Sequence, residues 1–157
     1  MTITKLLDRG EIEVSNDSQT TLEACDLASG IALCLYDPAN RIAGLAHMLL
    51  PTHVEAPTAA PEGDVLDGYF VEVGTEVLVH QMEQAGAQVS MCEVVVVGGA
   101  TFMTAGAPSA QPLGDRNVRA VTEALGAQGI HVTRYHVGGF VNRGVSIDVA
   151  TGDVTVR

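Results

Sequence analysis

Two apolar runs of strand length frame a turn in the first third of the chain. Gly30–Asp37 is almost wholly apolar and leads into Asp-Pro-Ala-Asn, four residue types that favour a turn. Arg41–Leu50 supplies a second apolar run, which Pro51 ends. The pattern predicts two strands joined as a β-hairpin.

Two later segments carry apolar residues at helical spacing. The first covers residues 68–85. The second is Arg116–Ala127, with Asp115 as its expected N-cap and Gly126 or Gly129 at its end. We therefore expect two helices, separated along the chain by further β-structure.

The remaining periodic segments favour strands. Val89–Val97 is β-branched and apolar enough for a buried central strand. Three more strands are predicted near the end of the chain: Ile130–Val137, Gly144–Val149 and Val154–Arg157. The last two are joined by the Thr151–Asp153 turn, while Thr52–Asp67 and 103–114 read as surface loops. The expected class is α+β, with packed β-sheets, helices on the outside and a single domain over residues 1–157.

Charge excludes some classes of partner. The formal net charge is −11, which argues against nucleic-acid binding and against an anionic membrane surface. The acids are concentrated in residues 1–100, which hold 15 acids and 3 bases, whereas residues 101–157 hold 4 acids and 5 bases. Such a surface favours solubility or attracts a basic partner.

Cysteine content and hydropathy point to a cytoplasmic protein. Three cysteines is an odd, low number that argues against a disulfide framework. The apolar runs are too short to span a bilayer, and the first residues lack the pattern of a signal peptide. We expect a cytoplasmic protein without membrane insertion. The histidines lack the pairwise spacing of a zinc site, so no metal and no cofactor is expected.

Several short motifs occur in the order that one protein family has them. They are Ser29 with Cys34–Pro38, Gly44–Pro51, Gly98–Ala100, Gly114–Asn117, Val137–Gly139 with Arg143, and Thr151–Val154. Through these motifs the sequence resembles the CheD family of chemoreceptor glutamine deamidases, from about Thr20 to Arg157. The resemblance implies a CheD-like α/β/β/α sandwich.

The resemblance also implies thiol chemistry, in which a cysteine attacks a glutamine side-chain amide with the help of a histidine and a threonine. His47 matches the family histidine. Gly30 falls on the position of the nucleophile, and Ala24 falls on the position of the threonine, which Thr21 (or its neighbour Thr20) replaces only if the register slips. Two of three catalytic positions are therefore altered, while the residues around them match.

Two other side chains are candidate nucleophiles beside His47. Cys25 enters the first hairpin strand through a segment that can fold back, which makes it the plausible displaced nucleophile, although Asp26 beside it opposes thiolate formation. Ser29 points away from the position of residue 30 if the strand is extended there. Cys34 and Cys92 read as core residues.

The other matching positions are candidates for the pocket rather than for the chemistry. Arg116 and Asn117 either bind an acidic group or brace loops. Gly139 and Arg143 belong to the motif after the last long strand, where Phe140 replaces the family's asparagine and is placed to cover the pocket.

We therefore expect a CheD-like chemotaxis protein with impaired or lost receptor glutamine deamidase activity. It would act as a binding or regulatory module for chemoreceptors or a CheC-like phosphatase. The alternative is an active deamidase that uses Cys25 with His47 as base. A small-molecule or metal binder that reuses the fold is the third possibility.

Overall fold

The computed structural model describes residues 2–52, 66–101 and 111–157. Within these ranges the chain forms nine strands and two α-helices. The strands are β1 Ile3–Leu6, β2 Ile12–Ser15, β3 Thr20–Ala24, β4 Ile31–Asp37, β5 Ile42–Met48, β6 Glu93–Gly98, β7 Arg134–Val137, β8 Val145–Asp148 and β9 Val154–Val156. The helices are α1 Val71–Gln84 and α2 Leu113–Ala127.

The strands form two mixed sheets. The four-stranded sheet has the order β1-β3-β8-β9, and the five-stranded sheet has the order β2-β5-β4-β6-β7. The predicted hairpin is confirmed, because β4 and β5 are antiparallel neighbours. The turn that joins β8 to β9 is confirmed as well.

Residues of β4 alternate between two apolar cores. Ile31, Leu33 and Leu35 pack with both helices on one face of the five-stranded sheet. Ala32 and Cys34 pack on its other face, against the four-stranded sheet. The five-stranded sheet is therefore buried on both faces, which explains why β4 reads as a continuous apolar run. The predicted α+β class, with packed sheets and outer helices, is confirmed.

Several element boundaries differ from the expectation. Val89–Met91 forms a short 3₁₀ helix before β6 begins. Of the predicted strand Ile130–Val137, only its second half is a strand. Asp115 lies inside the first turn of α2, because the helix already begins at Leu113 with Pro112 at the N-cap. Gly129, at φ +71°, follows the end of α2 as predicted.

The first three strands were not predicted. They bring the start of the chain against both sheets, since β1 pairs with β3 and β2 pairs with β5. Most of the two predicted surface loops, residues 53–65 and 102–110, lies outside the described residues. In the part of the chain that is described, no helix combines the length and the hydropathy that crossing a membrane requires.

Candidate functional site

His47 lies near the end of β5 and faces the gap between the two sheets. Its neighbour across the strands is Ala32, a residue of the core between the sheets. Only 3% of His47 is exposed. The segment between β1 and β2 holds its backbone, because Gly10 N–H donates to the His47 carbonyl at 2.7 Å and His47 N–H donates to the Glu11 carbonyl at 3.0 Å.

The surroundings of His47 favour the neutral imidazole. Burial lowers the pKa of His47 below its ordinary value. Its Nδ1 lies 3.4 Å from the Leu7 carbonyl oxygen. A carbonyl only accepts hydrogen bonds, so this contact assigns the proton of the neutral ring to Nδ1 and leaves Nε2 as an acceptor.

Two cavities meet at His47. The larger, about 590 Å³, is also lined by Cys25, Asp26 and the segment around Leu7. The smaller, about 240 Å³, is lined by residues 26–30 and by Tyr69 and Leu113. We call the smaller one the His47 cavity. Arg9, Asp26 and His47 line both cavities, so a cation, a carboxylate and a neutral imidazole face each of them, and Asp8 and Glu11 add carboxylates to the larger one.

The chain turns sharply just before β4. Asp26 and Ala28 have φ values of +53° and +50°, which L-residues with a Cβ rarely adopt. Gly30 N–H closes the turn by donating to the Leu27 carbonyl at 2.7 Å. Ala28 holds this φ without the conformational freedom that glycine would have there.

Gly30 leaves no room for a side chain. A Cβ at this position would lie 2.7 Å from the Met48 carbonyl oxygen and 2.9 Å from the Leu27 carbonyl oxygen. Both contacts are with backbone atoms, which cannot rotate away as a side chain does. The position that the resemblance assigns to a thiol therefore holds glycine and is packed tightly around it.

The turn is fixed by hydrogen bonds from three directions. Gly99 N–H donates to the Gly30 carbonyl at 2.8 Å, and Ala100 N–H donates to the Ala28 carbonyl at 3.0 Å. The Asn142 Oδ1 accepts from Ala28 N–H at 2.9 Å. The Gly98–Gly99 pair permits this approach, because a Cβ on Gly98 would meet the Gly30 carbonyl oxygen.

Asn117 of α2 joins the turn to the strand of His47. Its side chain is fully buried. The Nδ2 group donates to the Ser29 carbonyl and to the Leu49 carbonyl, each at 2.8 Å. Its Oδ1 is buried and meets no hydrogen-bond donor among the described residues. Asn117 therefore braces the two walls of the His47 cavity, which is one of the two roles expected for it.

Arg143 braces the neighbouring glycine loops. Its guanidinium donates to the Gly138 carbonyl at 2.8 Å and to the Gly98 carbonyl at 3.3 Å. Gly139, at φ +68°, accepts from Thr101 N–H at 2.8 Å. The sequence-based expectation that Phe140 covers the pocket is wrong, because 72% of this residue is exposed.

Cys25 shares the larger cavity with His47, but its thiol is engaged elsewhere. The Sγ donates to Glu23 Oε1 at 3.2 Å. This hydrogen bond, together with burial, raises the pKa of Cys25 above its ordinary value. Glu23 also accepts from Arg157 at 3.1 Å, so the carboxylate is held in place beside the thiol. The arrangement opposes a thiolate at neutral pH.

Ser29 is placed differently from the expectation. It lies in the turn at residues 28–30 rather than on an extension of the strand. The alternation that would point it away from residue 30 therefore does not apply, and Ser29 lines the His47 cavity. Arg116 makes a contact with a residue close to it in the sequence, because its Nε donates to the Gln111 carbonyl at 3.2 Å.

Ala24 and Thr21, the two candidates for the threonine position of the family, lie on opposite faces of β3. Ala24 is buried in the core between the sheets. Thr21 lies on the opposite face of β3 and about 10 Å farther along the strand. The hydroxyl of Thr20 is hydrogen-bonded to Asp17 at 3.1 Å. Cys34 is buried in the core as predicted, and burial raises its pKa to about 12.

Three contributors to the site were not found from the sequence. Leu7 acts through its carbonyl, which no side-chain pattern reveals. Arg9 reaches both cavities from a segment whose strands were not predicted. Asn142 was not identified as a site residue from the sequence. Its position between the glycine pair and Arg143 is the feature that could have identified it.

Comparisons with known proteins identify related sequences. A family model described as "CheD chemotactic sensory transduction" matches residues 49–157. A "Probable chemoreceptor glutamine deamidase CheD" of Natronomonas pharaonis is 32% identical over 87% of this chain and 78% of its own length. The protein of the same name from Desulfitobacterium hafniense is 34% identical over 87% and 82%. A "Probable chemoreceptor glutamine deamidase CheD 2" of Geobacter metallireducens is 33% identical over 94% and 88%.

Proposed function

The chain belongs to the CheD family of chemotaxis proteins, and we propose that it is a member that has lost glutamine deamidation and acts by binding. The partner is a chemoreceptor cytoplasmic domain or a CheC-like phosphatase. Chemoreceptors are named as the targets of the curated relatives. With no thiol at the nucleophile position, the function that remains possible at the site is binding.

The observation that carries this proposal is the packing of Gly30. Deamidation through a covalent intermediate needs a thiolate within reach of a base. At residue 30 there is no side chain, and two backbone carbonyls lie where a Cβ would be placed. This observation supports a loss of the chemistry at the catalytic end of the molecule.

Binding remains chemically feasible at the same place. The His47 cavity combines an imidazole acceptor, the Arg9 guanidinium and the Asp26 carboxylate with apolar walls from Leu49 and Tyr69. Few polar groups on a mostly preformed apolar wall are typical of sites that bind a side chain or a small ligand. The braces from Asn117 and Gly99 hold the walls in place, which lowers the entropy lost on binding.

A second candidate function is deamidation through Cys25. It is favoured by one observation, that Cys25 and His47 line the same cavity. Against it stands the hydrogen bond from the thiol to Glu23, which raises the pKa of Cys25. The two candidates differ in whether any thiol is ionised near His47 at neutral pH.

Binding is tested with the full chain against a receptor cytoplasmic fragment and against a CheC-like phosphatase, by calorimetric titration. The Ser29→Phe variant fills the His47 cavity, and Ser18→Phe, at an exposed position, is the matched control. We expect saturable binding of at least one partner that Ser29→Phe weakens about tenfold or more and that Ser18→Phe leaves unchanged. Absence of binding to both partners, or equal affinity for Ser29→Phe, would contradict the proposal.

A further inference from the structure

A third cavity lies at the opposite end of the molecule from His47. Helix α1 follows β5 and helix α2 follows β6, and both strands run antiparallel to β4. The two helices therefore run back in the same direction, and their C-terminal ends lie side by side. Between these ends is a cavity of about 540 Å³. It is lined by Val79 and Glu83 of α1, by residues 87–91 and by residues 128–130. We call it the helix-end cavity.

The electrostatic character of the helix-end cavity is negative. Each helix C-terminus carries a partial negative charge from its macrodipole, and neither helix has a basic residue in its last turn to offset it. Glu83, in the last turn of α1, adds a carboxylate to the wall. None of the lining residues is basic.

A buried carboxylate lies directly beneath the wall. Asp37 Oδ2 accepts from Gln88 N–H at 2.9 Å and from the Asn40 side chain at 2.8 Å. Burial raises the pKa of Asp37, but these hydrogen bonds hold it below its ordinary value. The carboxyl group is therefore ionised at neutral pH. Its charge reinforces the potential of the two helix ends.

Part of the remaining wall is apolar. Val79 and Ile130 are buried core residues that reach the cavity, and Val89 is partly buried beside them. Met91 stands at the rim with 65% of its surface exposed. An unbranched thioether side chain adapts readily to the shape of a ligand. The cavity therefore combines apolar side chains with a negatively charged wall.

We propose that the helix-end cavity binds an alkylguanidinium group, the chemistry of an arginine side chain. The aliphatic stem packs against Val79, Val89 and Met91, and the planar head donates two hydrogen bonds to the Glu83 carboxylate. The side-chain oxygens of Gln88, Ser90 and Gln128 are acceptors for the other N–H groups. A divalent metal ion fits less well, because Glu83 is the only carboxylate that lines the cavity among the described residues.

The proposal is independent of the His47 site and of the function proposed for it. It is tested on the full chain by following backbone amide resonances during titration with agmatine. An acetylated and amidated Gly-Arg-Gly peptide is titrated in parallel. The variants are Glu83→Gln, which removes the proposed acceptor, and Glu76→Gln, which removes the same charge from an exposed position two turns earlier on α1.

We expect saturable shifts at residues 87–91 and 128–130 with one or both probes. Glu83→Gln should weaken binding at least about fivefold, and Glu76→Gln less than twofold. Tighter binding of the peptide identifies a protein side chain as the source of the group, and tighter binding of agmatine identifies a free small molecule. Unsaturable shifts with both probes, or equal weakening by the two variants, would overturn the proposal.

Discussion

The carbonyl oxygen of Leu7 lies 3.4 Å from Nδ1 of His47, although 40 residues separate them in the sequence. The contact joins the segment between the first two strands to the strand that carries the histidine. It fixes the tautomer of a buried, neutral imidazole and leaves Nε2 as the atom that can accept a hydrogen bond from a ligand.

The buried neutral state of His47 predicts a loss of stability in acid. Its folded-state pKa is lower than that of the unfolded chain, so the unfolded state binds the proton more readily. The free energy of unfolding should therefore fall as the pH drops below about 6.5, with a slope of at most about 1.4 kcal/mol per pH unit. Urea unfolding between pH 7 and pH 5 measures this slope.

A pair of histidine variants isolates the effect. His47→Gln should flatten the slope in this window, whereas His80→Gln, an exposed position on α1, should leave it unchanged. The lowered pKa values of Glu23 and Asp37 act only below about pH 4.5, so they do not overlap the window. An unchanged slope in His47→Gln would show that another group is responsible.

A cysteine at residue 30 should destabilise the fold. In Gly30→Cys the new Cβ meets the backbone oxygens of Met48 and Leu27, and we expect a loss of about 2 kcal/mol or more in the free energy of unfolding. The control is Gly126→Cys in α2, where a Cβ meets no atom within 4 Å and should be neutral or slightly stabilising. Denaturant unfolding of both variants checks this, and equal stability would mean that the turn has room.

Asn117 should be the most sensitive of the bracing residues. Asn117→Ala leaves two buried carbonyls, those of Ser29 and Leu49, without the donor that serves them. We expect a loss of about 2–4 kcal/mol. Asn16→Ala, at an exposed position, should change stability by less than about 0.5 kcal/mol. Thermal unfolding of the two variants measures the difference. Similar losses of stability in both variants would contradict the bracing role of Asn117.

Cysteine reactivity should be low throughout the chain. The hydrogen bond to Glu23 raises the pKa of Cys25, and burial raises those of Cys34 and Cys92 to about 12 and about 11. At pH 7.5 iodoacetamide should label Cys25 more slowly than an unperturbed thiol, and Glu23→Gln should accelerate the labelling several-fold. Glu13→Gln is the matched control, with no acceleration expected. Fast labelling of native Cys25 would favour the displaced nucleophile.

The sequence predicted the centre of the molecule better than its beginning. The hairpin of β4 and β5 was evident because both strands are buried along their whole length. The first strand was missed because all four of its residues are exposed, so no apolar alternation marks it. The contact from Leu7 to His47 was missed with it, because it depends on that segment and on a backbone oxygen.

The site was predicted through its residues rather than through its geometry. His47 and Asn117 were singled out from their motifs, but the placement of Ser29 rested on an extended backbone that the structure does not have. Positive φ values at Asp26 and Ala28 turn the chain there, and although Asp tolerates this conformation, Ala gives no sign of it. The exposed position of Phe140 depends likewise on a glycine loop whose path is set by tertiary hydrogen bonds.

The most direct test of the account is deamidation of a chemoreceptor cytoplasmic fragment, followed by mass spectrometry for conversion of glutamine to glutamate. The native chain, Cys25→Ala and Gly30→Cys are assayed together, with an active CheD protein as the positive control. The account predicts no conversion by the native chain or by Cys25→Ala. Conversion by the native chain that is lost in Cys25→Ala would contradict it and would establish Cys25 as the nucleophile.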